Sequence, residues 1–237
     1  MDPHGPLGHA ASAPVQFDVT VQTATLLGRL VIDPAPDPRA VLLLGHGAGG
    51  GVEAFDLAAL ARALPARGIT VARFEQPWRT AGRKVAGPPR SLDVAWRTAL
   101  ELAVQRWPEL PLVVGGRSAG ARVACRCFAP PALGVVALAF PLHPPGRPEK
   151  SRADELAVVR APVLVVQGER DPFGTPAEIE QAVPTARLAA IAGAAHALGP
   201  TRKADDPVQR AELVSNPVAR FVLDLVGAAP GTGTRPG

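Results

Sequence analysis

The chain has 237 residues, 47% apolar and 19% charged, with a formal net charge of +4, which suits one α/β domain with a buried core and excludes a disordered or coiled-coil chain. The longest apolar runs, such as 135–140, fall far short of the roughly 18 residues that span a membrane, and the Met1-Asp2-Pro3 start lacks a basic and then apolar leader, so a cytoplasmic location is expected. Basic residues are dispersed singly rather than gathered in a run, which leaves no footprint for nucleic acid; the expected partner is a small-molecule substrate.

Residues 1–14 and 228–237 are rich in Gly and Pro without periodicity and are expected to be a disordered arm and tail around one domain at 15–227. The run 15–21 alternates with period two and 25–32 is β-leaning, which predicts a pair of strands. A Pro-rich loop delivers the apolar run 40–44 and, directly after it, Gly45-His46-Gly47-Ala48-Gly49-Gly50-Gly51. Apolar spacing predicts a helix over 55–67 ended by Gly68, then a strand at 69–74. After an irregular stretch, Ser91 is expected to cap a helix whose Leu92, Trp96, Ala99, Leu100 and Ala103 form one stripe and which stops before Pro108.

Leu112, Val113 and Val114 then read as a buried strand, Gly116-Arg117-Ser118-Ala119-Gly120 as a tight turn, and the residues from Ala121 as a helix. A strand at 134–140, a Pro-rich excursion with a short helix, strands at 162–167 and 186–191 and a helix at 207–225 complete the chain. Nearly continuous apolar strands alternating with helices predict a mostly parallel, eight-stranded sheet with helices on both faces, preceded by antiparallel strands. In such a sheet, ligands sit outside the carboxyl ends of the strands, so the loops after 45, 74, 116, 140, 167 and 191 share one rim.

The rim carries a constellation. G-x-S-x-G between a strand and a helix puts a serine on a strained turn, with glycines where side chains would collide with backbone. A serine needs a base, and the base an orienting acid. Asp171 follows one predicted strand and His196 the next, in the chain order Ser118, Asp171, His196 that α/β-hydrolases use. Glu169 is the rival acid, two residues nearer the strand. His4 and His9 lie in the arm, and His46 and His143 precede Asp171, which leaves His196 as the expected base. Two N–H donors are needed for the oxyanion of a tetrahedral intermediate; Ala119, after the serine, and Ala48, in the glycine loop beside Gly47, are the candidates. That loop lacks the lysine and Ser/Thr of a phosphate-binding loop. No cofactor or metal is called for. Cys125 and Cys127, two apart on a helix, face different ways and read as reduced packing residues.

Gly45–Gly49, Arg73-Phe74, G-G-R-S-A-G at 115–120, F-P-L-H-P-P-G at 140–146 and Gly168–Asp171 together resemble the branch of the α/β-hydrolase superfamily that holds dienelactone-hydrolase-like and Tex30/KANL3-like proteins. The resemblance covers most of 35–200 and implies the α/β-hydrolase fold with a triad. Dienelactone hydrolases proper use a cysteine nucleophile; Ser118 departs from that, and their substrate is not carried over. Arg73 and His143, at the ends of neighbouring strands, are candidate pocket residues. Arg117 is a candidate anchor for an anionic substrate or, equally, one half of a structural ion pair. Trp78 and Phe173 are candidate apolar walls. The segment 141–160 is too short for a full lid domain. The leading expectation is a serine hydrolase of small esters acting through an acyl-enzyme; the alternative is a scaffold or interaction protein that keeps the architecture without useful turnover.

Overall fold

Strands that are apolar at nearly every position need cover on both faces, and this chain supplies it with helices. The computed structural model describes residues 15–20, 27–203 and 205–228. The expected arm at 1–14 and all but the first residue of the expected tail lie outside that range; that first residue, Ala228, is helical.

The strands are β1 (Val15–Thr20), β2 (Leu27–Asp33), β3 (Ala40–Gly45), β4 (Ile69–Glu75), β5 (Leu112–Arg117), β6 (Val135–Leu138), β7 (Val163–Gly168) and β8 (Arg187–Ile191). They form one eight-stranded sheet in the order β1-β2-β4-β3-β5-β6-β7-β8. β1 with β2 and β2 with β4 run antiparallel, and all later pairs run parallel. The helices are α1 (Phe55–Ala63), α2 (Pro77–Thr80), α3 (Pro89–Arg106), α4 (Ala119–Arg126), α5 (Ala153–Ala157), α6 (Pro176–Ala182) and α7 (Pro207–Ala228).

Alternation along the strands divides the interior into two cores. Val41, Leu43, Phe74, Val114, Ala137 and Val165 face α3 and α4, with Trp96 at the centre. Leu42, Leu44, Val71, Val113, Val136 and Val166 face α1 and α7, which contribute Leu57, Leu60, Val214, Val218 and Phe221. Side chains of this kind each stabilise the fold by about 1.5–3 kcal/mol when fully buried, so these central strands are a rigid frame for whatever their ends carry. The register sets Gly45 beside both Phe74 and Gly116, and Gly168 beside Ile191. The glycine loop, the serine turn and the loops after β7 and β8 therefore leave the sheet at one rim. Between β6 and β7 the chain adds only the five-residue α5.

Local chemistry moves several boundaries from their expected places. The helix predicted over 55–67 ends at Ala63 and continues as a single 3₁₀ turn at Pro65–Arg67, because Pro65 has no N–H to extend the ladder. Gly68, at φ 77°, closes that turn. Ser91 does not cap α3: the helix starts two residues earlier on Pro89, and the Ser91 hydroxyl donates to the Pro88 carbonyl. A proline at the first helical position gives up only an N–H that has no intrahelical partner. The short α2 lies in a stretch that reads as irregular. α6 lies in a stretch for which no element is expected, although Thr175-Pro176-Ala177-Glu178 forms a complete capping box there.

The turn between β5 and α4 is closely packed. A Cβ on Gly116 would lie 2.6 Å from the Gly45 carbonyl oxygen and 2.7 Å from the Gly120 carbonyl carbon. One on Gly120 would strike the same Gly45 oxygen and lie 2.8 Å from that of His46. Since these obstacles are backbone, a Gly120→Ala variant is expected to lose about 1–3 kcal/mol of stability, the usual penalty of overpacking. Urea unfolding checks this, and an unchanged midpoint would contradict it.

Candidate active site

Ser118 stands between β5 and α4 at φ 53°, ψ −112°, a region that costs a residue with a side chain about 1–3 kcal/mol. The frame holds it there. Its N–H donates to the Leu138 carbonyl at 2.9 Å, and its own carbonyl accepts from Arg122 N–H at 3.2 Å in the first turn of α4.

The structure brings the three sequence candidates for nucleophile, base and acid into contact. His196 Nε2 lies 2.9 Å from Ser118 Oγ, and His196 Nδ1 lies 2.8 Å from Asp171 Oδ2. A carboxylate on Nδ1 fixes the tautomer: Nδ1–H donates to Asp171, and Nε2 keeps its lone pair for the serine proton. Asp171 is 2% exposed, and both its oxygens accept further hydrogen bonds. The Phe173 N–H donates to Oδ1 at 2.9 Å, and the Gln167 amide donates to Oδ2 at 2.9 Å. Gln167, buried at the end of β7, also donates to the carbonyls of Phe140 and Gly174. It is a residue that sequence reasoning passed over. The Phe173 ring packs on the His196 ring with centroids 4.3 Å apart.

The loop that carries His196 is Gly193-Ala194-Ala195-His196, whose first three residues have no polar side chains to fix it. Neighbours fix its backbone instead. Arg210 donates to the Ala192 carbonyl at 2.7 Å, Arg170 Nε to that of Gly193 at 3.1 Å, and Arg117 Nη2 to that of His196 at 3.2 Å. Glu169, the rival acid, accepts from the Gly193 N–H at 2.9 Å and serves the loop, not the imidazole.

Arg117 is thus a clamp. Its Nε also lies 3.1 Å from Oδ2 of Asp56, in the first turn of α1. Asp56 is fully buried and escaped sequence reasoning, since an acid in the first turn of a helix is ordinarily a solvated dipole partner. Burial pushes the Asp56 carboxyl up to about 6, against the opposing pull of Arg117 and the Leu57 N–H. The ion-pair reading of Arg117 fits this contact.

Two further candidates are also committed elsewhere. Arg73 pairs with Asp33 at 3.0 Å and donates to the Val52 carbonyl at 2.9 Å, so it ties the end of the glycine loop to β4. The His143 ring lies between the Pro144 carbonyl at 3.0 Å and Glu178 Oε1 at 3.3 Å, and the His143 backbone N–H donates to the Phe173 carbonyl; the residue braces the acid loop. Neither borders the cavity beside the serine turn. Gly47, Ala48 and Ala119 do, and a Cβ on Gly47 would lie 3.4 Å from that of Ser118. As the first residue of α4, Ala119 has no intrahelical acceptor for its N–H. His46 accepts from the Gln76 N–H at Nε2 and faces the Gly47 carbonyl with Nδ1. With both nitrogens used, and burial lowering its pKa, it is a neutral strut of the glycine loop. Cys125 and Cys127 are free and buried, and burial raises both thiols, that of Cys127 to about 11. Among the described residues no group of three His, Cys, Asp or Glu side chains is placed to hold a metal ion, and no helix is long and apolar enough to cross a membrane.

A sheet in this order with a serine elbow at its rim defines the α/β-hydrolase fold. Residues 38–222 match the alpha/beta hydrolase domain family, and the chain belongs to it. Solved structures are similar along nearly the whole chain. An alpha-beta serine hydrolase homologue from Coxiella burnetii superposes with a TM-score of 0.71 at 15% identity over 88% of this chain and 99% of that one. A serine hydrolase without lid from Xanthomonas campestris gives 0.67 at 20% identity over 89% and 95%. A dienelactone hydrolase from Anabaena variabilis gives 0.66 at 19% identity over 90% and 99%. At such identities the likeness is one of fold.

The buried Asp56 carboxyl has a pH signature. A pKa raised from 3.8 to about 6 means that the folded state binds a proton more readily than the unfolded one, so this group's contribution to stability is present below about pH 4 and lost as pH rises through 6. Relative to an Asp56→Asn variant, which cannot titrate there, the wild type is expected to lose about 1–3 kcal/mol between pH 4 and pH 7. Paired urea unfolding curves at the two pH values measure it, and a pH-independent difference would contradict it.

Proposed function

We propose that the chain is a serine hydrolase that cleaves small esters or related acyl compounds through Ser118, His196 and Asp171, by way of an acyl-enzyme, and that it works in the cytoplasm. The observation that carries the reading is the continuous contact from Ser118 Oγ to His196 to Asp171, at 2.9 and 2.8 Å. Membership of a hydrolase family and similarity to structures described as serine hydrolases support it at the level of class.

In the first half-reaction, Ser118 Oγ bonds to the acyl carbon while its proton passes to His196 Nε2. The charge that develops on the carbonyl oxygen is met by the N–H groups of Ala119 and Ala48, each such donor being worth about 2.7–4 kcal/mol to the transition state. The bond to the leaving oxygen then breaks as His196 returns the proton to it. Water repeats the sequence, losing its proton to His196 and releasing the acid and the free serine. Asp171 holds the imidazole and stabilises its cationic form, and Gln167 and the Phe173 N–H hold Asp171.

The reading of an inactive scaffold would be favoured by a serine out of reach of its histidine; the 2.9 Å contact favours turnover. Hydrolysis of p-nitrophenyl acetate decides between them. Ser118→Ala is expected to lower kcat/KM by about 10⁴-fold or more with no loss of thermal stability, because it keeps the Cβ and removes only the nucleophile. Equal rates for wild type and variant would overturn the proposal.

A further inference from the structure

One guanidinium stands behind three parts of the site. Arg117 directly precedes Ser118, its Nη2 donates to the His196 carbonyl at 3.2 Å, and its Nη1 lies 3.0 Å from where a Cβ on Gly47 would stand. It therefore meets the serine turn, the loop of the base and the glycine loop at once. Its partners among the described residues are the His196 carbonyl and Asp56, so it acts on the reaction only through the parts it holds.

What orients Arg117 depends on charge. Asp56 Oδ1 accepts from the Leu57 N–H at 2.9 Å, which leaves Oδ2 for the guanidinium. Oδ2 and Arg117 Nε are 3.1 Å apart, yet neither atom makes a hydrogen bond among the described residues, so the contact is an attraction between two buried charges. A proton taken up by Asp56 goes to Oδ2, the oxygen without a donor. It then sets an O–H against an N–H of a group that has no acceptor, and the attraction becomes an opposition of two donors. Other charges on the elements around α1 do not take over: Arg73 of β4 is paired with Asp33 and Glu53, and Arg210 of α7 with Asp205. Arg117 and His196 are the charged or titratable side chains that bear on Asp56.

We propose that Arg117 is a positioning residue for the hydrolysis and that the charge on Asp56 switches it: ionised Asp56 holds the guanidinium where it fixes His196 and Gly47 relative to Ser118, and protonated Asp56 releases it. The inference rests on the hydrolase reading above. Burial raises the Asp56 carboxyl to about 6, so the pair is complete well above that pH and is lost as pH falls through it. The fold is more stable with the proton on, which means that the ionised pair is kept at a cost to stability, as befits a part retained for function. Because misplacement of reacting groups by about 1 Å can lower a rate 100-fold, release of the guanidinium is felt in the chemical step.

The test is the pH profile of p-nitrophenyl acetate hydrolysis by wild type, Asp56→Asn and Arg117→Met, each checked for folding by circular dichroism, together with labelling of the wild type by a fluorophosphonate. At pH 8 either variant is expected to lose about tenfold or more in kcat, with KM within about twofold, since neither residue binds substrate. The ratio of wild-type to variant kcat/KM is then expected to narrow by about fivefold or more between pH 8 and pH 5, because the wild type itself loses the clamp as Asp56 takes up its proton. Protonation of His196 is common to all three proteins and cancels in the ratio. A mere field effect of the lost charge on His196 would shift the two variants in opposite directions, whereas loss of the switch narrows both ratios. An active wild type whose ratio to the folded variants is constant with pH, moves oppositely in the two, or is near one at pH 8 would overturn the inference and leave the hydrolase reading standing. A wild type that is neither labelled nor active would overturn both. Should Asp56→Asn fail to fold, the ratio to Arg117→Met decides.

Discussion

The close approach of three backbones at the turn between β5 and α4 is the constraint on which the site depends. Gly116 and Gly120 press on the Gly45 carbonyl with no room for a Cβ on either, and that contact lets the glycine loop lie against the serine turn. It fixes Ser118 at a positive φ that an ordinary turn would relax. The cost of that strain is borne by strands buried on both faces. The same contact places Ala48 and Ala119 on one cavity, so the candidate nucleophile and the candidate oxyanion donors follow from one packing event.

Holding the histidine requires a different solution. The loop after β8 is small and apolar and carries no means of its own to stay in place. Arg117, Arg170 and Arg210 come from three separate parts of the chain to bind the carbonyls of His196, Gly193 and Ala192. Arg117 is in turn oriented by Asp56, a carboxylate with no solvent access. Breaking a buried pair by removing one partner is ordinarily costly, and pairing rarely recovers the full price of desolvation. The acid is retained here at a point where it couples α1, the serine turn and the histidine loop, which ties the geometry of the base to that of the nucleophile.

Much of this was legible in the residues. Apolar runs with period-two or helical spacing gave the strands and most helices, and the order Ser118, Asp171, His196 singled out residues that the fold brings into contact. The connections that support them were not legible, for physical reasons. Gln167 and Asp56 look like ordinary polar residues until burial is known, and the arginine–carbonyl bonds join residues as far as 79 positions apart. Arg73 lies near the end of β4 as its position suggested, but β6 stops at Leu138, five residues before His143, and β3 and β5 stand between the two strands; contacts with Asp33 and Glu178 turn both residues to bracing. The α6 capping box was readable in T-P-A-E, whereas the early start of α3 depended on Pro89 taking the first helical position in place of the cap that Ser91 suggested.

The claim that Ser118 is an activated nucleophile is tested most directly by intact-mass analysis after exposure to a fluorophosphonate, with the adduct mapped by peptide sequencing. The account predicts one adduct per chain, located on Ser118, and slow or absent labelling in His196→Ala, where the serine keeps its strained position but loses the base 2.9 Å away. A folded wild-type protein that stays unmodified, or one labelled equally fast without His196, would contradict it.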